Sequence, residues 1–424
     1  MEQKDIKKMQ NNKGITLVAL VVTIIVLTIL ASISIGAVFS EKGIIQQAKD
    51  SKKQHEDALA AEERNLNNLL GEYNNSMSGN SFTGGGETTP TPEPTPSVPT
   101  GPNGNQLVSS ITDTNHSTIE AEDDNGNKVV VPGGFKIAVD SGTTVKQGIV
   151  IEDSAGNQFV WIPVSNINHD GSNKIKVNSP DETGVEITLG RYLFNKTTAV
   201  VQDQQYGFEY NNPVNIDGCQ ELATPRESGG SKENTTAKNL KGFIDSVAVN
   251  KGYYIGRYEA SQGSGDTFGV GSSSSYYKPK SVKSVVWINI TQPEAAKASR
   301  NMYYGNDYVE SDLVNSYMWD TAIIYIQEMG NSKYSIKKAS NTKLANTGST
   351  SSDEKCHIFD MAENCAEWDT EYDTKAEQYS SGYGCVPRGA NYAYNTTMYT
   401  AYRSIGTADS KDNCRSFRVG LYIK

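Results

Sequence analysis

The chain has 424 residues, a formal net charge of -10, 36% hydrophobic residues and five cysteines. That length leaves room for two or three domains. The acidity argues against nucleic acid as a partner, because neutralising phosphates needs a basic surface, and it accords with solubility outside a cell.

The first predicted element is an uncharged run of 25 residues, Ile15 to Phe39. As a helix rising ~1.5 Å per residue it crosses a hydrocarbon core of about 30 Å. Lys4, Lys7, Lys8 and Lys13 precede it, so the positive-inside rule puts the N-terminus in the cytoplasm and the rest of the chain outside. The run exceeds the roughly 7 to 15 residues of a secretory signal core, and no small-x-small pattern closes it. An uncleaved signal anchor is one reading. More specific is the order Lys13, Gly14, Ile15, Thr16, Leu17 before the apolar helix, which resembles the start of a type IV prepilin. That resemblance implies a prepilin peptidase cutting between Gly14 and Ile15 and pilin-like subunits as partners. Removing the leader, four Lys against Glu2 and Asp5, takes the net charge from -10 to -12. Ala19 stands where pilins carry a Glu at the fifth mature position. In the family that carboxylate pairs with a neighbour's N-terminal amine inside the apolar filament core, where an unpaired charge costs several kcal/mol. Its absence implies a minor or tip subunit, or an anchor that never enters a filament.

Helix-forming residues continue from Glu41 to about Tyr73, with Ile44, Ile45, Ala48, Leu59, Leu66, Leu69 and Leu70 as an intermittent apolar stripe. Residues 15–75 are expected as one transmembrane and stalk helix, roughly 90 Å long. Residues 76–106 are a Gly, Ser, Thr and Pro linker with TPTPEPTPSVP at Thr89 to Pro99, which buries no core and forms a partly extended spacer. Residues 107–145 read as a small β subdomain or extension. Gly148 to Ile151 and Gln158 to Val164 flank the turn signal Asp153 to Asn157 and predict a hairpin; Val185 to Phe194 reads as another strand. The expected class is α+β.

Four islands follow in order: GYYIGRYEAS at Gly252 to Ser261, VVWINITQPEA at Val285 to Ala295, SDLVNSYMWDTA at Ser311 to Ala322, and a last pair, FDMAENCAEWD at Phe359 to Asp369 with PRGANY at Pro387 to Tyr392. Tyr402, Arg403 and SFRVG at Ser416 to Gly420 close the series. Together they resemble the formylglycine-generating enzyme family, which implies a variant C-type lectin fold with irregular β structure over residues 146–424. Trp319, Trp368, Arg388, Arg403 and Arg418 suit the holding of such a strand-poor domain, through packing and multidentate hydrogen bonds. The copper enzymes of the family place two cysteines shortly after the segment matching Pro387 to Tyr392. This chain has Tyr394 and Tyr399 there, and phenols do not supply the soft thiolates that copper(I) needs. The resemblance therefore implies a domain without that catalysis. His55, His116, His169 and His357 are scattered, with no metal spacing and no triad. Asn364 and Glu367 match a part of the family that helps hold structural calcium; a loop hydrogen-bond network is the other reading. Cys219, Cys356, Cys365, Cys385 and Cys414 lack C-x-x-C spacing, which favours one or two disulfides over zinc and leaves the pairing open.

The last segment has the composition of a binding face. Tyr383, Tyr392, Tyr394 and Tyr399 alternate with Asn391, Asn395, Thr397 and other small polar residues, and Tyr supplies broad amphipathic contact at low entropic cost. Tyr383, Asn391, Tyr392, Tyr394, Asn395, Thr397 and Tyr399 are the candidate ligand-binding residues, with Tyr392, Tyr394 and Thr396 expected on one face of a strand. The segment also resembles the variable C-terminus of lectin-fold proteins diversified by retroelements. The resulting expectation is an adhesin at the cell membrane and surface, or at a pilus tip, that binds an extracellular protein or glycan. An extracellular formylglycine-generating-type metalloenzyme and a purely structural pilin are the alternatives.

Overall fold

The computed structural model describes residues 98–164, 184–205, 219–221, 236–262, 278–349, 351–373 and 383–424. The expected cleavage residues Gly14 and Ile15, the expected long helix over 15–75 and most of the expected linker over 76–106 lie outside them.

The chain opens with β1 (Gln106–Leu107), β2 (Ile119–Glu122) and β3 (Lys128–Val131) in one small sheet, followed by β4 (Phe135–Ile137), β5 (Val150–Asp153) and β6 (Gln158–Pro163). Two hairpins share one turn. Asp123 to Asn127 joins β2 to β3, and Asp153 to Asn157 joins β5 to β6, as Asp-x-x-Gly-Asn in both. Asp123 Oδ1 accepts the amides of Asn125 (2.9 Å) and Asn127 (2.7 Å), and Asp153 Oδ1 accepts those of Ala155 (2.9 Å) and Asn157 (2.8 Å). Gly126 and Gly156 take φ of +81° and +80°, which only glycine enters without strain. The hairpin expected around Asp153 is thus present, and it repeats a turn already used upstream.

Next come β7 (Arg191–Phe194) and β8 (Val201–Gln205), paired with each other, then β9 (Cys219–Glu221), α1 (Leu240–Asn250), β10 (Gly252–Gly256), α2 (Gln292–Met302), β11 (Val309–Leu313) and α3 (Ser316–Glu328). Of the strand expected over Val185 to Phe194, only the last four residues are extended in a ladder. Each helix begins at a polar cap: Asn239 for α1, Thr291 with Glu294 in a reciprocal box for α2, and Asn315 for α3. α3 is buried on nearly every side, in keeping with its run of apolar residues. The closing elements are β12 (Ala366–Asp373), β13 (Tyr383–Arg388), β14 (Gly406–Thr407), β15 (Arg415–Phe417) and β16 (Val419–Ile423).

The main sheet runs β11-β16-β10-β6-β5-β4, and a second runs β14-β13-β12-β15, with β9 also on β12. The described residues make a mixed α+β unit dominated by β structure. One hydrophobic core spans it, from Val108 and Val129 to Trp161, Tyr253, Trp319 and Leu421, so residues 107–145 pack into the same interior as the strands after them. Tyr254 makes this concrete, its hydroxyl donating to the Val130 carbonyl at 2.9 Å.

Candidate functional site

Residues of three of the sequence islands, with the closing Arg403 and Arg418, meet in two buried ion-pair centres. In the first, Arg418 (0% exposed side chain) grips Glu367 with Nε at 3.0 Å and Nη2 at 2.6 Å. It also donates to the carbonyls of Gly256 and Phe359, both at 2.7 Å. Beside it, Glu259 accepts the Cys365 amide at 2.9 Å and the Asn364 side chain at 2.5 Å. Asn364 sits at φ +59° and also exchanges two bonds with the backbone of Ala345. Asn364 and Glu367, the candidate calcium residues, are therefore both bonded within a buried protein network. Among the described residues, no group of three or more His, Cys, Asp or Glu is arranged to hold a metal ion.

The second centre lies under the tyrosine-rich segment and joins α3, β7, β12 and β13. Glu371 receives Arg191, Arg388 (3.1 Å) and Arg403 (2.9 Å), while Asp320 receives Arg388 and Arg403 (2.5 Å). Burial would raise the Glu371 carboxyl, but Arg403, Arg191 and Arg388 outweigh it and hold it at about 2. Burial and the neighbouring Glu371 push Asp369 well above the carboxylate range. Burial also takes Glu221 up to about 7, against hydrogen bonds from Thr370 and Ser316. Trp319 donates to the Thr400 carbonyl at 3.2 Å and stacks under Arg388 at 5.9 Å. A surface segment thus rests on a packed, charged floor that fixes its position.

On that floor the chain turns sharply at Gly389 (φ +87°), where a Cβ would stand 2.7 Å from the Met361 carbonyl. Asn391 follows, buried, and its Oδ1 accepts the amides of Ala393 (3.0 Å) and Tyr394 (2.9 Å). This cap winds residues 392–394 into a 3₁₀ turn. The alternating strand expected for Tyr392, Tyr394 and Thr396 is therefore absent; a local side-chain bond to the backbone has competed with extension. Asn391 holds the turn from beneath. Tyr394 stands out at 54% exposure, Thr397 is exposed, and Tyr392, Asn395 and Tyr399 are half-buried. The Tyr392 amide donates to the Asn364 carbonyl at 3.0 Å, and the Asn395 side chain reaches Asn341 O at 3.4 Å. Tyr383 begins β13 opposite Thr407; its side chain lies outside the described part, as does Tyr379.

Tyr399 and Tyr402 pack edge to face, with centroids 5.3 Å apart. Together with Leu193, Phe194, Lys196, Ala401 and Arg403 they line a cavity of about 180 Å³. That is the scale of a cavity accepting one six-membered ring (about 150 Å³). Burial lowers the Arg403 guanidinium, but Asp320 and Glu371 outweigh it and keep it above its ordinary value. The cavity accordingly has a fixed cation, an exposed ammonium at Lys196 and phenol edges, a setting for carboxylate or hydroxyl groups. Sequence reasoning did not place Leu193, Phe194 and Lys196 here, because they lie some 200 positions from Tyr399 and carry no motif.

The remaining chemical candidates are quiet. Burial raises the Cys356 thiol to about 12, the direction opposite to an activated nucleophile. His357 is lowered by burial and by Arg257, whose Nη2 lies 3.2 Å from its Nδ1. None of the five cysteines is joined to another in the structure. No family model matches the chain, and neither a curated protein nor a solved structure matches it.

Proposed function

We propose that this protein is a surface-displayed adhesin: a pilin-like minor or tip subunit whose N-terminal helix carries a non-catalytic domain of the C-type lectin, formylglycine-generating-enzyme-like kind. In this reading residues 392–399 and the cavity beside Arg403 form the contact face for an extracellular protein or glycan. The observation that carries it is Tyr394, a large amphipathic side chain 54% exposed on a turn whose capping residue is buried. Exposed tyrosines on a rigid mount, with small polar neighbours, give contact area at little entropic cost.

The non-catalytic part of the reading is supported by the raised thiol of Cys356 and by phenols at Tyr394 and Tyr399 where copper would need thiolates. Diversification by a retroelement is compatible with the way the segment is held. Its fixing bonds run through Asn391 and the backbone, so exposed positions tolerate replacement. Cells displaying the full chain should attach to a surface bearing the cognate glycan or protein, and attachment should fall at least tenfold for Tyr394→Ala with Tyr399→Ala. Attachment equal to wild type would refute the contact face and favour a decorative pilin. Stoichiometric copper or iron, with oxidation of a cysteine-bearing peptide, would overturn the non-catalytic reading.

A further inference from the structure

β12 and β15 run parallel, with Ala366 beside Arg415, Glu367 beside Ser416 and Trp368 beside Phe417. Cys365 and Cys414 are the residues immediately before the first of these pairs. They flank the end of the ladder: the Ala366 amide donates to the Cys414 carbonyl at 3.0 Å, and the Cys414 thiol donates to Asp412 Oδ1 at 3.1 Å. In-register neighbours on adjacent strands lie about 4.8 Å apart and point to the same face of the sheet, inside the roughly 4.4–6.8 Å Cα window of a disulfide. Both side chains are buried, Cys365 at 1% and Cys414 at 3% exposure. Tyr392 bridges the same two strand ends independently. Its amide bonds the Asn364 carbonyl at 3.0 Å and its hydroxyl reaches the Asn413 carbonyl at 3.5 Å, the residues preceding each cysteine.

We propose that Cys365 and Cys414 are an oxidisable pair, joined as the chain folds outside the cytoplasm, whose disulfide closes the base of the tyrosine-bearing segment. The two thiols lose two protons and two electrons, and a small-molecule or protein disulfide takes up both electrons and leaves as two thiols. The closed loop holds every candidate contact residue from Tyr383 to Tyr399, roughly 50 residues in all. Burial first, then Glu259 and Cys414, push the Cys365 thiol well above its ordinary value, and burial with Asp412 takes Cys414 up to about 12. Little thiolate exists once β15 has closed, so the bond forms before the strand docks and afterwards resists exchange. The oxidising location and the functional consequence, a face held at its two ends, rest on the adhesin reading; the proximity of the two cysteines does not.

The test is a thiol count on the full chain refolded with glutathione and glutathione disulfide, then denatured without reductant and alkylated with iodoacetamide. Three of the five cysteines should be labelled, with one linked peptide pair containing Cys365 and Cys414. Labelling of all five, or a link through Cys219, Cys356 or Cys385, would overturn the proposal. Cys414→Ser should leave Cys365 alkylated. Reduction should lower Tm by about 5–10 °C, a shift that Cys365→Ser with Cys414→Ser should abolish. The thiol count needs neither a folded variant nor a ligand, so its outcome is independent of whether attachment is observed.

Discussion

Replacing Arg418 with Met keeps the aliphatic stem and removes one guanidinium from the centre of the domain. The loss is four contacts: two to Glu367, at 3.0 and 2.6 Å, and one each to the carbonyls of Gly256 and Phe359, at 2.7 Å. Glu367 is 1% exposed and would be left without its cation. Breaking a buried pair from one side costs about 3–5 kcal/mol, or about 6–10 °C in Tm at roughly 2 °C per kcal/mol for a large domain. The deficit should depend on pH in a defined direction. Burial already raises Glu367 despite Arg418, and without Arg418 the folded value rises further. A carboxyl raised above its unfolded value of about 4.3 contributes stability below that pH and loses it as pH rises through the folded value. The Arg418→Met deficit, followed by circular dichroism melts between pH 5 and 8, should therefore grow with pH. Adding Glu367→Gln should flatten that dependence and recover part of the loss. A deficit below about 1 kcal/mol, or one that shrinks as pH rises, would refute the reasoning.

Glu221→Gln should act with pH as well. Burial takes Glu221 to about 7, so wild type loses stability from this group as pH rises from about 4.3 through 7. The variant lacks that loss and should gain about 3–4 kcal/mol over wild type by pH 8, with little difference at pH 4; a difference constant with pH would exclude the mechanism. Gly389→Ala places a Cβ 2.7 Å from the Met361 carbonyl at φ +87°. It should cost at least about 2 kcal/mol, read as a Tm drop of about 4 °C or more; an unchanged melt would show that the turn accepts another geometry.

How much of this was legible in the sequence depended on how local the deciding chemistry was. The Asp153 hairpin was legible because its turn residues and flanking apolar runs are contiguous, and the same signature at Asp123 was equally available. The helix caps Thr291 and Asn315 are of the same kind. The 3₁₀ turn at Tyr392 was misread as a strand because alternating tyrosines imitate the period of an extended chain, while one preceding Asn decides the backbone. The arginine floor was legible only as a set of residue types. That Arg191 shares Glu371 with Arg388 and Arg403 depends on partners up to 180 positions away, which no window on the sequence contains. The cavity beside Arg403 was invisible for the same reason, since one wall comes from β7 and the other from the segment after β13.

The segment from Gly389 to Arg403 separates residues that hold it from residues that only occupy it. At its near end Asn391 accepts two amides, and the Tyr392 amide is tied to Asn364. At its far end the amides of Thr400 and Ala401 donate to Lys337 and Ser335, both at 2.9 Å. These bonds use backbone groups or the buried Asn391, so they persist whatever side chains stand between. Tyr394 and Thr397 are exposed, Asn395 is half-buried, and the side-chain bonds from Asn395 to Asn341 O and from Thr397 to Tyr394 O are long, at 3.4 and 3.2 Å. Replacing Tyr394, Asn395 and Thr397 together with Ser should therefore cost no more than about 1 kcal/mol, the range of exposed substitutions. Asn391→Ala alone should cost about 1 kcal/mol, the usual value of a lost cap, although it removes far fewer atoms. Chemical melts of the two variants, with attachment measured in parallel, test the division. The triple variant should stay folded and lose attachment, whereas a loss above about 2 kcal/mol for it would mean that the exposed side chains hold the fold.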